Sequence, residues 1–178
     1  PAGLSPEVWL RPHRRHRLGS WKRSLRANGP AKKVPVEERR DVEESRDDEE
    51  RWKEVIAETV NLHGKLDILV NNAGIVEVGD PENQTTAEYR KTMAVHMDST
   101  FFGCKYSIPV MAKTGGGSIV NMCSIASVQG ESYVAAYCAA KGAIEAYTRA
   151  VAVHCGLKKN GVRCNSIHPS GIATPMVA

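Results

Sequence analysis

The stretch LDILVNNAG, residues 66–74, decides the fold of this chain. Residues 66–70 form a short apolar run, which is typical of a strand buried in a parallel sheet. Residues 71–74 follow as a polar loop that ends in glycine. Before this strand, residues 49–62 show apolar positions at helical spacing, and Gly64 is suited to end that helix.

The same alternation continues toward the carboxyl end. Helical patterns cover residues 86–111, with a break expected near Pro109, and residues 134–154. Apolar runs that predict strands cover residues 118–122 and 161–167. Strands that alternate with helices of this length indicate an α/β fold, a parallel sheet with right-handed crossovers.

A possible catalytic pair lies on the second long helix. Tyr137 and Lys141 are four residues apart, which places them on one face of a helix, one turn from each other. An ammonium group beside a phenol favours the phenolate, so we expect Lys141 to lower the pKa of Tyr137 and to make it a general acid/base. Ser124, shortly after the strand at 118–122, would hydrogen-bond a substrate oxygen. The Tyr-x-x-x-Lys pattern alone is weak, because helices carry such pairs by chance.

Composition excludes several classes of protein. The chain has 178 residues, of which 42% are hydrophobic and 25% charged, as in an ordinary globular domain. No apolar run is long enough to span a membrane, and no secretory signal is visible. We interpret the five cysteines as reduced core thiols of a cytoplasmic protein, and neither they nor the six histidines show metal-ligand spacing. No metal site is therefore predicted.

Charge is distributed unevenly. Residues 11–33 carry arginines and lysines without any acid, residues 37–54 are mainly acidic, and the remainder is nearly balanced. A basic arm can bind nucleic acid, but we favour a solvated, poorly ordered tail because no nucleic-acid-binding fold accompanies the charges.

Taken together, the motifs resemble those of the short-chain dehydrogenase/reductase family, in its order and at its spacing. The resemblance extends from about Arg40 to Met176 and predicts a Rossmann-like, doubly wound parallel sheet. The motifs are Asp41-Val42, Asn71-Asn72-Ala73-Gly74, the segment 117–124, Tyr137-x-x-x-Lys141, and the segment 165–176.

This resemblance implies hydride transfer between NAD or NADP and a secondary alcohol or ketone. It implies that Tyr137 is the acid/base, that Lys141 also holds the nicotinamide ribose, and that Ser124 orients the substrate oxygen. Further cofactor contacts are implied for Asp41, Asn71, Ala73 and Gly74 near the adenosine and for Pro169, Ile172 and Thr174 near the nicotinamide. In open α/β sheets, ligands bind beside the loops that follow parallel strands, and Asn71, Ser124 and Pro169 lie in such loops.

The chain departs from the family pattern at both ends. Residues 1–35 contain no strand followed by a glycine-rich phosphate loop, and Ala178 lies just inside the family's substrate-binding loop, before its last strand. We therefore expect an atypical basic segment at 1–35 and a partial NAD(P)-binding domain at 36–178, incomplete at both ends. Two explanations of the first 30 residues stay open: an out-of-frame or misjoined start, and a genuine divergent N-terminus.

His96 is the third departure. It stands where the family has an asparagine that kinks the helix and holds a water joining the lysine to solvent. A histidine can hold that water or relay protons itself, since its pKa ordinarily lies near neutrality. The alternative is a tolerated but weakened site. We expect slower turnover than in a His96→Asn variant.

The sequence thus predicts a truncated oxidoreductase, with hydroxysteroids or cyclic alcohols suggested by residues 166–176. A catalytically inactive fragment or interaction module is the alternative, and a nucleic-acid binder ranks last. A homo-oligomer is expected through the two long helices, with Phe101 and Phe102 at the interface.

Overall fold

The structure is a computed structural model that describes residues 7–9 and 48–172, with backbone only for 7–9. Asp41, Thr174 and the basic segment 11–33 lie outside the described residues, as does most of the segment 1–35. Helices and strands follow one another along the chain: β1 Glu7–Trp9, α1 Glu49–His63, β2 Ile68–Asn71, α2 Thr86–Met93, a π-helix Ala94–Asp98, α3 Ser99–Lys113, β3 Gly117–Met122, a 3₁₀-helix Ile125–Ser127, α4 Ala135–Lys158 and β4 Val162–Ile167.

The strands form one sheet in the order β1-β2-β3-β4. β2 pairs parallel with β3, Ile68 opposite Ser118, and β3 pairs parallel with β4, Gly117 opposite Val162. The three strands predicted from apolar runs are therefore parallel neighbours, and the predicted incomplete Rossmann-like α/β fold is confirmed.

β1 lies in the segment 1–35, for which the sequence predicted no strand followed by a glycine-rich loop. Glu7–Trp9 pairs antiparallel with β2. The physical reason is that an edge strand exposes unpaired N–H and C=O groups, which any short extended segment can satisfy. Because β1 is antiparallel, it does not replace the opening strand of a parallel dinucleotide-binding sheet.

The core lies on one face of the sheet. Buried side chains occur at every second position of β2, β3 and β4, as the period of two requires. The buried ones pack with residues of α1, α3 and α4 in a single cluster, which contains Trp52, Ile56, Leu66, Leu69, Cys104, Met111, Ile119, Val151, Cys155, Val162 and Cys164. In the described residues, one of the two helical layers of a doubly wound fold is thus present.

The long helix predicted over 86–111 is interrupted at a different place from the one expected. Pro109 lies inside α3, which continues to Lys113. Its exposed position lets water bond the carbonyl that loses its helical partner, so the helix tolerates it. The interruption is instead the π-helix Ala94–Asp98, where the Thr100 hydroxyl donates to the His96 carbonyl at 2.7 Å.

Candidate active site

Three predicted catalytic residues meet at the carboxyl edge of β3. Tyr137 and Lys141 lie in the first two turns of α4, and Ser124 lies two residues beyond the end of β3. The Lys141 Nζ lies 5.4 Å from the centroid of the Tyr137 ring. A hydrogen bond with the Ser124 hydroxyl acts on the Tyr137 phenol and lowers its pKa. The structure therefore brings together the side chains that the sequence spacing predicted.

The start of α4 is held by a loop that the sequence analysis did not single out. The Gln84 Oε1 accepts from the Ala136 N–H at 3.0 Å, and the Gly79 N–H donates to the Tyr133 carbonyl at 2.8 Å. Val134, the residue that caps α4, offers no side-chain hydrogen bond, so Gln84 satisfies a helix N–H that would otherwise be unpaired. This contact fixes the first turn of α4, which carries Tyr137.

Lys141 is almost fully buried, at 3% exposed. Its ammonium donates to the Met122 carbonyl at 2.8 Å, at the end of β3. Burial disfavours the charged form and lowers the pKa of Lys141 to about 8. At neutral pH the side chain is still mainly protonated, so a cation stands beside the phenol ring.

The pKa of Tyr137 corrects the expectation drawn from spacing. Burial, the largest cause, raises its pKa above the ordinary value of 10.0, and the Ser124 hydrogen bond opposes that rise. The Lys141 ammonium lies 5.4 Å from the centroid of the Tyr137 ring. Burial outweighs the groups that favour the phenolate, so the pKa of Tyr137 is raised overall and Tyr137 is a neutral phenol near pH 7.

Ser124 is positioned by its own backbone and by the loop after β4. Its Oγ accepts from the Ala126 N–H at 3.2 Å and caps the 3₁₀-helix, while its main chain is extended. The neighbouring Ile125 N–H donates to the Pro169 carbonyl at 3.0 Å. Pro169, predicted to border the nicotinamide, thus lies beside Ser124, the predicted catalytic serine.

His168 contributes to the same junction, and the sequence analysis did not single it out. Its Nδ1 lies 3.2 Å from the Ser124 carbonyl and 3.1 Å from the Ser127 Oγ, while its Nε2 lies 2.9 Å from the Ser166 Oγ. The imidazole therefore ties the loop after β4 to the turn after β3. The signal available from sequence was a histidine placed directly after a predicted strand.

His96 is buried under the site, at 1% exposed. Its ring meets the Tyr137 ring edge-on, with centroids 5.3 Å apart. Its Nε2 lies 2.8 Å from the Ile75 carbonyl and 3.1 Å from the Ile75 nitrogen. The structure thus places His96, a predicted catalytic residue, between the loop after β2 and Tyr137.

The protonation of His96 differs from the expectation. Burial, aided by the charge of Lys141, lowers its pKa to about 3, so the imidazole is neutral across the working pH range. It cannot relay protons by titrating near neutrality. Its Nδ1 is buried without a hydrogen-bond partner among the described residues, which leaves one ring nitrogen able to bond a water or to pass on a proton.

The predicted adenosine contacts in the loop after β2 lie in different environments. Asn71 points into the core, where its Nδ2 donates to the Asn121 Oδ1 at 2.8 Å. The Asn121 Nδ2 in turn donates to the Thr148 Oγ1 at 2.9 Å. Ala73 is half-buried, and Gly74 packs against His96. The Asn71 side chain therefore orients strands and helix α4 rather than facing the open edge.

The last predicted cofactor residue in the described part, Ile172, is exposed at 55%. It lies in the loop after β4, three residues beyond Pro169. Its predicted role beside the nicotinamide stays a prediction.

A parallel α/β sheet with a serine, a tyrosine and a lysine at its carboxyl edge defines a class of dinucleotide-dependent oxidoreductases. Residues 26–178 match the family model described as Enoyl-(Acyl carrier protein) reductase. The chain belongs to the short-chain dehydrogenase/reductase family, as predicted, and the family's cofactors are NAD and NADP.

Known relatives agree with this assignment. The chain is 41% identical to the 3-beta-hydroxysteroid dehydrogenase of Comamonas testosteroni over 71% of this chain and 49% of that protein. It is 39% identical to the NADP-dependent (R)-specific alcohol dehydrogenase of Lentilactobacillus kefiri, over 76% and 54% respectively. It is 40% identical to the trans-4-hydroxycyclohexanecarboxylate dehydrogenase of Sinomonas cyclohexanicum, over 74% and 49%.

A solved structure described as a short-chain dehydrogenase/reductase from Burkholderia xenovorans superposes with a TM-score of 0.71 at 34% identity. The match covers 75% of this chain and 52% of that one. The chain thus spans about half the length of the relatives that it matches. No helix in the described part of the chain is both long and apolar enough to cross a membrane.

Proposed function

We propose that this chain carries the catalytic part of an NAD(P)-dependent oxidoreductase that acts on a secondary alcohol or its ketone. The single observation that supports this most is the convergence of Ser124, Tyr137 and Lys141 at one edge of the sheet. The phenol, the buried ammonium and the serine hydroxyl lie within one small volume, where a carbonyl oxygen could meet all of them.

The residues present fit a nicotinamide cofactor. Lys141 has three N–H donors, and one of them is used on the Met122 carbonyl. Additional hydrogen-bond acceptors stabilise a buried ammonium, and the hydroxyl oxygens of a ribose can accept these hydrogen bonds. When bound, the cofactor supplies or accepts the hydride. Pro169 and Ile172 would border it, and Ala73 and Gly74 would lie on its adenosine side.

The roles of the protein groups follow from their protonation. In the reducing direction, Tyr137, a neutral phenol, donates its proton to the substrate oxygen as negative charge develops there. Ser124 donates a hydrogen bond to the same oxygen and holds it beside the phenol. Lys141 stabilises the phenolate that remains, helped by the N-terminal dipole of α4, since Tyr137 lies in the first turn.

The substrate class is part of the proposal. We propose a hydroxysteroid or a cyclic alcohol, because relatives named for a 3-beta-hydroxysteroid and for a hydroxycyclohexane carboxylate match this chain. Both are ring compounds with a secondary hydroxyl group. The alternative of a catalytically inactive fragment is not favoured, because the relatives are dehydrogenases and because Ser124, Tyr137 and Lys141 lie at the same edge of the sheet.

Self-association through α3 and α4 is proposed on a separate observation. Phe101 is 38% exposed, and its ring centroid lies 6.0 Å from that of Tyr147, so an aromatic surface spans both helices. Aromatic side chains of this kind are enriched at protein interfaces. Sedimentation of the chain and of a Phe101→Glu variant tests it. A monomer in both cases would contradict the proposal.

The experiment that tests the function is a fluorescence titration of residues 1–178 with NADH and with NADPH. We expect saturable binding that weakens in Lys141→Ala and is unchanged in Lys158→Ala, an exposed lysine at the end of the same helix. A folded chain that binds neither cofactor would overturn cofactor binding by this chain. Turnover of a cyclic ketone, retained in Lys158→Ala and lost in Tyr137→Phe, then tests the chemistry.

A further inference from the structure

Three residues with metal-binding side chains meet beside the catalytic serine. Cys123, Glu145 and His168 come from the end of β3, the middle of α4 and the loop after β4. One ligand atom of each, a thiol sulfur, a carboxylate oxygen and an imidazole nitrogen, lies within 4.8 Å of the other two. Because these residues are far apart in the sequence, their spacing predicted no metal site.

We propose that Cys123, Glu145 and His168 bind a divalent cation of the zinc type. Thiolate, imidazole and carboxylate are the ligands that Zn²⁺ takes in proteins, and three protein ligands leave a fourth tetrahedral position for water. Ligand atoms around a tetrahedral zinc are held somewhat closer together than 4.8 Å, so small side-chain movements complete the site.

Each ligand side chain is held in place by a neighbouring group. The Cys123 thiol is buried and donates to the Lys141 carbonyl at 3.1 Å. The Glu145 carboxylate forms an ion pair with Arg149. The Ser166 Oγ, 2.9 Å from the His168 Nε2, can accept that N–H and so free the Nδ1 lone pair.

One contact competes for a ligand. Arg149 pairs with Glu145, and the Arg149 side chain is 67% exposed, so the guanidinium can turn to solvent when a cation takes its place. His168 is exposed, so a cation can enter from the loop surface. On binding, the Cys123 S–H bond breaks, the sulfur–metal bond forms and one proton leaves to solvent.

The metal would bridge the three elements that position Ser124. It would tie β3, α4 and the loop after β4 together, and it would place a new charge near Lys141, whose carbonyl accepts from the Cys123 thiol. The site therefore couples cation binding to the catalytic pair without using Tyr137 or Ser124 as ligands.

Cobalt(II) added to residues 1–178 under reducing conditions is the probe, because cobalt substitutes for zinc and absorbs light. We expect a thiolate-to-cobalt charge-transfer band that saturates at one equivalent and is reversed by zinc. The band should disappear in Cys123→Ser and persist in Cys138→Ser, a matched cysteine that is half-buried on α4. No band, or a band that survives Cys123→Ser, would overturn the proposal.

Two further sets of variants define the other ligands. Glu145→Gln and His168→Gln should each weaken cobalt binding about tenfold or more. Mutation of a residue that only hydrogen-bonds to a metal ligand already weakens metal binding about tenfold, and loss of the ligand itself should weaken it at least as much. Arg149→Gln should instead strengthen binding several-fold, because it removes the cation that competes for Glu145. Unchanged affinity in both Glu145→Gln and His168→Gln would contradict the three-residue site. Far-ultraviolet circular dichroism establishes that each variant is folded.

Discussion

Gly74 and His96 are in direct contact, and only a glycine permits it. A Cβ placed on Gly74 would stand 2.7 Å from the His96 Cε1, well inside van der Waals contact. The loop after β2 therefore contacts the π-helix where Gly74 packs against the His96 imidazole. His96 in turn lies edge-on to Tyr137, so this contact sets the position of the ring that packs against the proposed acid/base tyrosine.

Gly74→Ala should displace His96 and destabilise the fold. Overpacking a buried contact typically costs about 1–3 kcal/mol. Urea unfolding measures this loss in the free energy of unfolding. Gly130→Ala is the control, because nothing lies within 4 Å of a Cβ at Gly130. The cost of Gly74→Ala should be smaller in a His96→Ala background. Equal costs in both backgrounds would show that the imidazole is not what the methyl group meets.

His96 should make the protein sensitive to mild acid. Its pKa falls from 6.5 in an unfolded chain to about 3 in the folded one, so protonation favours unfolding. Stability is complete above pH 6.5 and is lost as the pH falls toward 3. Between pH 6.5 and 5 the loss should be about 1–2 kcal/mol. His96→Gln should remove that part of the pH dependence, which denaturant unfolding at several pH values would reveal; an unchanged dependence argues against a buried neutral imidazole.

Ketone reduction should slow above pH 8. The Lys141 ammonium is present below its pKa of about 8 and is lost as the pH rises through it. Without that cation the phenolate left by proton transfer is less stable, so kcat/KM should fall. In Lys141→Arg the decline near pH 8 should be absent, because guanidinium does not titrate there, although the overall rate should be lower. The same decline in both proteins would assign it to another group.

Asn121 should be important for stability although it does not face the open edge. It accepts from the Asn71 Nδ2 and donates to the Thr148 hydroxyl, and it is fully buried. Asn121→Ala leaves a buried donor without a partner, and we expect a loss of about 2–4 kcal/mol. Asn165→Ala, at an exposed position on the neighbouring strand, should change stability by less than about 0.5 kcal/mol. Thermal unfolding of both variants compares them, and similar losses would contradict the network's role.

His96→Asn tests the residue that departs from the family pattern. The family resemblance implies an asparagine at this position, and its amide can hold a water between lysine and solvent. We expect faster turnover than with His96, since the neutral imidazole has one nitrogen engaged with Ile75 and does not titrate near neutrality. Steady-state kinetics on a cyclic ketone measure this. Equal rates would mean that the imidazole holds this water, or passes on the proton, as well as the asparagine amide does.

Much of the arrangement followed from the sequence because period and spacing are local. The apolar runs near residues 66–70 and 118–122 predicted parallel strands, and the i,i+4 spacing placed Tyr137 and Lys141 on one helix face. Hydrophobic periodicity encodes which face of an element is buried, whatever the partner. The family's motifs then gave roles to the polar residues that end each strand.

Tertiary structure alone decided the electrostatics and the contacts between distant segments. The pKa of Tyr137 rises and those of Lys141 and His96 fall because burial disfavours charge, and burial depends on what packs above each residue. The approach of Cys123 to Glu145 and His168 arises because parallel pairing of β3 with β4 brings the loops that follow them to the same edge, beside α4. Sequence determines the elements and their faces, whereas the environment of a charged group exists only once those faces have met.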